Sequence, residues 1–325
     1  MSAAAEPLIS VALCTYNGER YLRQQLDSLL AQTYSNLEIV AVDDGSTDRT
    51  VELLREYEQR DPRLRVAVNP RNLGFIRNFE RTLVLAKGAF IAPCDQDDIW
   101  LPDKLRILAS RIGNHAMAYC DSELIDADGR SLGMSMSRFW AMQDLNDPAA
   151  LIVTNCVSGH AMLFRRELLG EAPQLPAEIF HDWWLAMWAA ANGGVVYCPE
   201  KLVRYRQHGK NVTDVLRAHR KRARRIPGSR MKSFDDTAWR LRYLSTLRQP
   251  QGEFFGELHK LWLRSETAWF APSLATFILH HRGRLYRLLR KGPVSLVRKS
   301  MSHIFGLRLR RLFKPAKYAR IVAST

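Results

Sequence analysis

Between Leu8 and Asp98, strand-length apolar runs alternate with amphipathic helical stretches, and three of the runs end in polar clusters. Leu8 to Leu13 leads into Cys14-Thr15-Tyr16-Asn17-Gly18. Leu37 to Val42 leads into Asp43-Asp44-Gly45-Ser46-Thr47-Asp48. Ala89 to Ala92, introduced by the turn glycine Gly88, leads into Asp95-Gln96-Asp97-Asp98. Leu22, Leu26, Leu29 and Leu30 give the first intervening helix one apolar face, and Val51, Leu54 and Tyr57 serve the second. Ser46 or Thr47 is expected to cap that second helix, with Asp48 in its first turn. Leu64 to Val68 reads as a further strand, followed by an N-P-R-N-L-G turn and a helix through Leu85. Strand and helix alternating at this spacing predict a mostly parallel α/β sheet with right-handed crossovers. Such sheets bind ligands at the carboxyl ends of their strands, so the three polar tips are expected to face one crevice.

Three carboxylates within four residues at the end of a buried strand are unfavourable unless positive charge shares them. Carboxylate oxygens are hard ligands suited to Mg²⁺ or Mn²⁺, and Asp95 and Asp97 are the pair assigned to such an ion. The plainer alternative is a solvated acidic loop in which Asp98 or Asp103 caps the next helix. The strand-to-helix turns hold neither G-x-G-x-x-G nor a P-loop. An acidic crevice accepts a diphosphate when a divalent cation bridges the two. A carboxylate at Asp44 can accept an N–H of a base or the hydroxyls of a ribose. A nucleoside diphosphate carrying a transferable group fits all three clusters.

The ordered series C-T-Y-N-G, V-D-D-G-S-T-D, N-L-G-F-I-R-N-F, A-K-G-A-F-I and C-D-Q-D-D-I-W resembles the family 2 glycosyltransferases of the GT-A fold, over about residues 7–210. The resemblance implies that Thr15, Tyr16, Asn17 and Glu19 line the base and ribose pocket, with Asp44 on the base. It makes Asp95-Gln96-Asp97 the D-x-D motif that places ribose and metal. Arg77 matches a basic position of rhamnosyltransferase-like members that faces the diphosphate; an ordinary surface arginine is the alternative.

Farther on, S-G-H-A-M-L-F (Ser158–Phe164) resembles the acceptor-side strand of the family, after a hairpin-like stretch from Asp121 to Gly133. Asp182 follows His181 and precedes two tryptophans at the start of a helix that is apolar nearly all round. A carboxylate there is costly to bury without a role. Helix capping would be one role; general base is the other, because partial desolvation lifts a carboxylate toward the working range. The resemblance favours the base, with His181 replacing the Glu usual before it. R-Y-R-Q-H-G (Arg204–Gly209) resembles rhamnosyltransferase-like members and implies His208 as a further metal ligand. The Q-x-x-R-W motif and membrane spans of processive synthases are missing, which implies transfer of a single sugar, possible donors including dTDP-rhamnose, to a glycan or lipid-linked acceptor.

Charge divides the chain. Residues 1–208 hold 21 Lys and Arg against 27 Asp and Glu, and residues 209–325 hold 27 against 6. Two units are therefore expected: a catalytic domain over 1–210 (nucleotide-binding half 1–100, acceptor half 101–210) and a basic, mainly helical extension over 211–325. The extension contains the run Arg217–Arg230 and apolar residues at helical spacing, including Phe254, Phe255, Leu258, Leu261, Trp262, Phe277–Leu279 and Leu285–Leu289. Basic amphipathic helices suit an anionic membrane surface, where a lipid-linked acceptor would be found; packing on the domain with solvated arginines is the alternative. Binding of nucleic acid through this extension is the rival from another class, disfavoured by the acidic front half and the lack of recognition signatures. A non-catalytic nucleotide-sugar-binding protein is a further alternative, and a nucleotidyltransferase would need a glycine-rich basic loop after the first strand. The five cysteines form no C-x-x-C pair and read as core residues. No apolar run reaches the ~18–20 residues of a membrane span, and no signal-peptide pattern opens the chain. A cytoplasmic protein, free or peripheral on the membrane, is the expectation, with the sequon Asn211-Val212-Thr213 taken as chance.

Overall fold

The computed structural model describes residues 6–171, 175–176, 179–208, 232–248, 251–306 and 308–309. One compact unit takes in residues 6–148 and 155–208. A second takes in 149–154 with the described residues from 232 onward. The sequon and the Arg217–Arg230 run lie outside the described residues.

The first unit opens as the alternation predicts. Strand β1 (Ile9–Thr15), helix α1 (Glu19–Leu30), β2 (Leu37–Asp43), α2 (Thr50–Arg60), β3 (Leu64–Val68), α3 (Phe75–Leu85) and β4 (Phe90–Cys94) follow in order. All seven residues of β1 are buried, as expected of a parallel strand covered on both faces. Leu22, Leu26 and Leu29 of α1 are fully buried, each stabilising by roughly 1.5–3 kcal/mol relative to exposure. Helix α2 starts at Thr50, later than the Ser46 or Thr47 cap expected. The reason is local: Ser46 Oγ is engaged by Asp43 and by the amide of Asn17, while Asp48 Oδ1 takes up the Thr50 amide at 3.0 Å.

Beyond β4 come β5 (Ile99–Trp100), α4 (Lys104–Arg111), β6 (Met117–Ile125), β7 (Ser131–Ser135), β8 (Met162–Arg165), α5 (Glu167–Glu171), α6 (His181–Ala191) and β9 (Val195–Arg206). They complete a nine-stranded sheet of order β3-β2-β1-β4-β8-β6-β9-β5, with β7 paired to β6 as the expected hairpin. β1, β2, β3 and β4 are mutually parallel. β8 pairs antiparallel with β4 and β6, β5 antiparallel with β9, and β6 parallel with β9. Register decides where the tips go. Thr15 pairs with Asp43 and Leu13 with Cys94, so Thr15, Asp44 and Asp95 emerge at the same edge of the sheet. All five cysteines are buried and unpaired.

The second unit is helical: α7 (Lys232–Leu244), α8 (Gln251–Thr267), α9 (Pro272–His280), α10 (Arg282–Leu285) and α11 (Pro293–Met301). Phe255, Leu258, Trp262, Phe277, Ile278, Leu285, Tyr286, Leu288 and Leu289 are buried. The stripes considered for a membrane face are thus largely interior, because helices this apolar on one side gain more by packing than by exposure. Among the described residues no helix is long and apolar enough to cross a membrane.

Candidate active site

The tip of β1 is stitched to the tip of β2. Asn17 takes a left-handed backbone (φ 47°), a conformation that asparagine tolerates better than most residues. Its amide donates to Ser46 Oγ at 2.8 Å, and its Oδ1 accepts the Thr47 amide at 2.9 Å. Glu19 Oε2 accepts the Arg49 amide at 3.0 Å. Beneath them Thr15 Oγ1 and Ser46 Oγ both donate to the buried Asp43 carboxylate, at 2.8 and 2.5 Å. Asp44 is buried too. Its oxygens accept from Asn69 Nδ2 at 2.7 Å, Leu73 N at 2.8 Å and Gly74 N at 2.9 Å. It therefore fastens the 69–74 turn, and a contact to a base draws on the acceptor capacity left over.

The β4 tip is tied to β1 by Gln96. Its Oε1 accepts the Tyr16 amide at 2.8 Å, and its Nε2 donates to the Tyr16 carbonyl at 3.0 Å. A Cβ at Gly18 would lie 2.2 Å from Gln96 Oε1, so this clamp needs glycine there. Gln96, which the resemblance counts among the nucleotide-sugar-binding residues, here bonds the Tyr16 backbone, and the Tyr16 ring is exposed.

The aspartates divide into two arrangements. On the more open side Asp97 Oδ2 lies 2.6 Å from His208 Nε2, and the His208 ring stacks on Tyr21 at 4.9 Å. On the buried side Asp95, Asp98 and His160 bring ligand atoms within 4.8 Å of one another. Asp98 is wholly buried; Oδ1 accepts the Arg206 amide at 3.0 Å, while Oδ2 has no hydrogen-bond partner and lies 3.6 Å from His160 Nδ1. Burial and the neighbouring Asp97 and Asp95 push the Asp98 carboxyl well up, against the opposing Arg206 amide and the Lys104 charge. Asp95 is pushed up to about 7, first by desolvation and then by the charges of Asp97 and Asp182.

Lys104 is the compensating cation. Fully buried, it donates from Nζ to the His160 carbonyl at 2.6 Å and sits 2.8 Å from the centroid of the Trp100 ring. Burial draws it down to about 7. Burial and the Lys104 charge draw His160 down to about 3, so its ring is neutral, with Nε2 3.1 Å from Ser122 Oγ. Arg206, also buried, locks the loop by donating to the Asp97 carbonyl at 2.8 Å and to Gln24 Oε1 at 2.6 Å.

An orphaned buried carboxylate oxygen beside a second carboxylate and a neutral imidazole fits a hard divalent cation. Asp95 is common to both donor sets, Asp97 and His208 completing the open one, Asp98 and His160 the buried one.

Asp182 lies in the first turn of α6, where the helix dipole favours a carboxylate. Its Oδ1 accepts the Trp183 amide at 2.5 Å, and the Gly159 amide also donates to the carboxylate. Even so, burial pushes it up to about 7. His181 gives Asp182 no hydrogen bond. It is buried, stacks on Phe79 at 3.9 Å, has both ring nitrogens unpartnered and is drawn down to about 3 by burial. It acts as an apolar wedge, and backbone amides donate to the Asp182 carboxylate. Gly159 makes this possible, since a Cβ there would approach His181 Nε2 to 2.8 Å. Arg77 is half-exposed, paired with Glu80 at 2.5 Å, and lines a surface cavity of about 570 Å³ with Arg71, Asn72, Leu73 and Arg81. Asp98, His160, Lys104 and Arg206 escaped assignment from sequence. Of these only His160 stands in an apolar stretch; the other three lie among polar neighbours that mask them.

Residues 10–172 match the family described as Glycosyl transferase family 2. An uncharacterized glycosyltransferase of Haemophilus influenzae is 29% identical over 222 residues, covering 64% of this chain and 68% of that one. An uncharacterized protein of Mycobacterium tuberculosis is 30% identical over 211 residues, covering 63% of this chain and 60% of its own length. Among solved structures, Staphylococcus aureus TarS 1-349 in complex with UDP-GlcNAc is similar with a TM-score of 0.56 at 19% identity, over 84% of this chain and 72% of that one. The mannosyltransferase PcManGT of Pyrobaculum calidifontis, in complex with GDP-Man and Mn²⁺, is similar with a TM-score of 0.53 at 17% identity, over 96% and 83%. With half its length matched to the family and its sheet shared with these folds, the chain belongs to glycosyl transferase family 2 and is a glycosyltransferase of the GT-A fold.

Proposed function

We propose that this chain transfers one sugar from a nucleoside-diphosphate sugar to an acceptor hydroxyl with inversion, Asp182 serving as the base. The observation that carries the reading is the place of Asp182 in the first turn of α6, held by the Trp183 amide, where burial pushes its carboxyl up and its charge acts on Asp95. Asp182 takes the proton of the acceptor hydroxyl; that oxygen bonds to the anomeric carbon as the bond to the diphosphate oxygen breaks. One displacement from the opposite face inverts the centre, by the logic of inverting glycosidases. A divalent cation, Mg²⁺ or Mn²⁺, held by Asp95 and Asp97 with His208, would stabilise the departing diphosphate charge. Arg77 lies on the helix after the 69–74 turn and supplies positive charge to the same group. Thr15, Tyr16, Asn17, Glu19, Asp44 and Gln96 shape the nucleoside pocket.

The donor is a nucleotide sugar, as in the complexes of the two similar proteins, and dTDP-rhamnose is favoured here by the rhamnosyltransferase-like motifs. Residues 1–210 form the catalytic domain and 211–325 an extension that serves a glycan or lipid-linked acceptor in cell-surface polysaccharide assembly on the cytoplasmic face of the membrane. A panel of UDP-, GDP- and dTDP-sugars with Mn²⁺ or Mg²⁺ tests the reading through protection against unfolding and release of nucleoside diphosphate. One donor is expected to do both. Protection without turnover on any acceptor would turn the assignment to a non-catalytic binder, and no effect from any donor would overturn it.

A further inference from the structure

Among the described residues of the second unit, four of the seven exposed large apolar side chains fall between 294 and 305, and Leu263 on α8 lies outside that stretch. On α11, Val294, Val297 and Met301 are spaced by three and four residues, which puts them on one face of the helix, and Phe305 follows in extended backbone past the short turn 302–304. Val294 is 80% exposed and Phe270 is 61% exposed. Phe305 bridges to Phe270 through backbone pairing, their rings 6.3 Å apart, and Trp269 follows with the Arg308 guanidinium 4.7 Å from its ring. Beside this face α11 turns inward at the fully buried Ser300. Large apolar side chains gathered on one surface cost solvation and mark a binding face.

Charge says what covers it. From Thr267 to Arg308 the sequence holds eight Lys and Arg and no Asp or Glu. Arg290, Lys291, Arg298 and Arg308 are exposed, with Arg298 on α11 itself and Arg308 against Trp269. An apolar ridge with an aromatic anchor, in a segment that is rich in cations and holds no acid, is complementary to the boundary between anionic headgroups and acyl chains. A protein partner of mixed charge would not require a segment of 42 residues without a carboxylate. We propose that the ridge Val294-Val297-Met301-Phe305, with Trp269 and Phe270, docks this unit on an anionic phospholipid surface. This assigns a place to the membrane association suggested for the lipid-linked acceptor, and it differs from the stripes singled out in the sequence, which are interior. The docking itself does not rest on the transfer chemistry.

The test is co-sedimentation of the full chain, without donor, on vesicles of phosphatidylcholine with phosphatidylglycerol in equal parts and on vesicles of phosphatidylcholine alone. Wild type is expected to bind the mixed vesicles and to bind the neutral ones about tenfold more weakly. The double variant Val294→Asp, Met301→Asp changes two exposed side chains and should keep the wild-type melting temperature while binding mixed vesicles about tenfold more weakly. Asp182→Asn should bind vesicles as wild type does, which separates failure of docking from failure of the transferase reading. Unchanged binding by the double variant overturns the proposal, as does equal binding to neutral vesicles. So does self-association of wild type, abolished in the double variant, with no vesicle binding by either.

Discussion

His208 Nε2 lies 2.6 Å from Asp97 Oδ2, joining the residue just past β9 to the loop after β4 across 111 positions of sequence. The Tyr21 ring beneath His208 and the Arg206 bond to the Asp97 carbonyl hold both partners in place. The end of β9 thereby closes the loop that follows β4.

That contact separates the two possible donor sets. His208→Ala is expected to weaken Mn²⁺ binding at least about tenfold, as loss of a ligand or its immediate support does, whereas His160→Gln should leave it within about threefold. Calorimetric titration of Mn²⁺ into each variant reads this directly. The reverse order would move the ion to the buried Asp98–His160 side.

Asp182 makes the reaction depend on pH. A base must be deprotonated, so kcat/KM is expected to rise with pH and level off above about 7, falling about tenfold per pH unit below it. Asp182→Asn should lose about 10²–10⁴ of the rate and with it this dependence. A wild-type pH profile retained by the variant would remove Asp182 from the role.

The same carboxyl burdens the fold. Its folded value stands above the ordinary 3.8, so the folded state holds the proton more tightly, and its stabilisation, complete below about 4, is lost as pH rises through about 7. Asp182→Asn should therefore raise stability at pH 8 by ~1–2 kcal/mol and change little at pH 4. Urea unfolding at the two pH values checks the sign.

Gly18 and Gln96 should be coupled. Gly18→Ala displaces the Gln96 carboxamide from both Tyr16 backbone groups and is expected to cost about 1–2 kcal/mol, the worth of two hydrogen bonds. In a Gln96→Ala background most of that cost should vanish. A double-mutant cycle with no coupling would mean the clamp contributes nothing.

Gly88 leaves no such escape. A Cβ there would meet the Leu8 carbonyl oxygen at 2.6 Å and the Ser10 amide nitrogen at 2.7 Å, and backbone cannot rotate away. Gly88→Ala should destabilise by ~3 kcal/mol or more, read as a lowered denaturation midpoint.

By itself the sequence determined the strand and helix alternation of the first 100 residues and the polar character of three strand tips. These are local properties: side-chain periodicity sets which face is apolar, and a parallel crossover brings successive tips to one edge. Asp95, Asp97 and Asp182 stood out as candidates because an acidic residue bordering an apolar stretch is unusual. Only the tertiary structure decided what those residues touch. Asp98 reads like its neighbours until β9 delivers Arg206 to it and β8 brings His160 within 3.6 Å. Lys104 looks like a helix-surface cation and is wholly buried, while the apolar stripes of α8 to α10 face inward and the exposed ridge lies on α11. Periodicity shows that a helix has an apolar face; which neighbour covers it follows from packing between segments far apart in the chain.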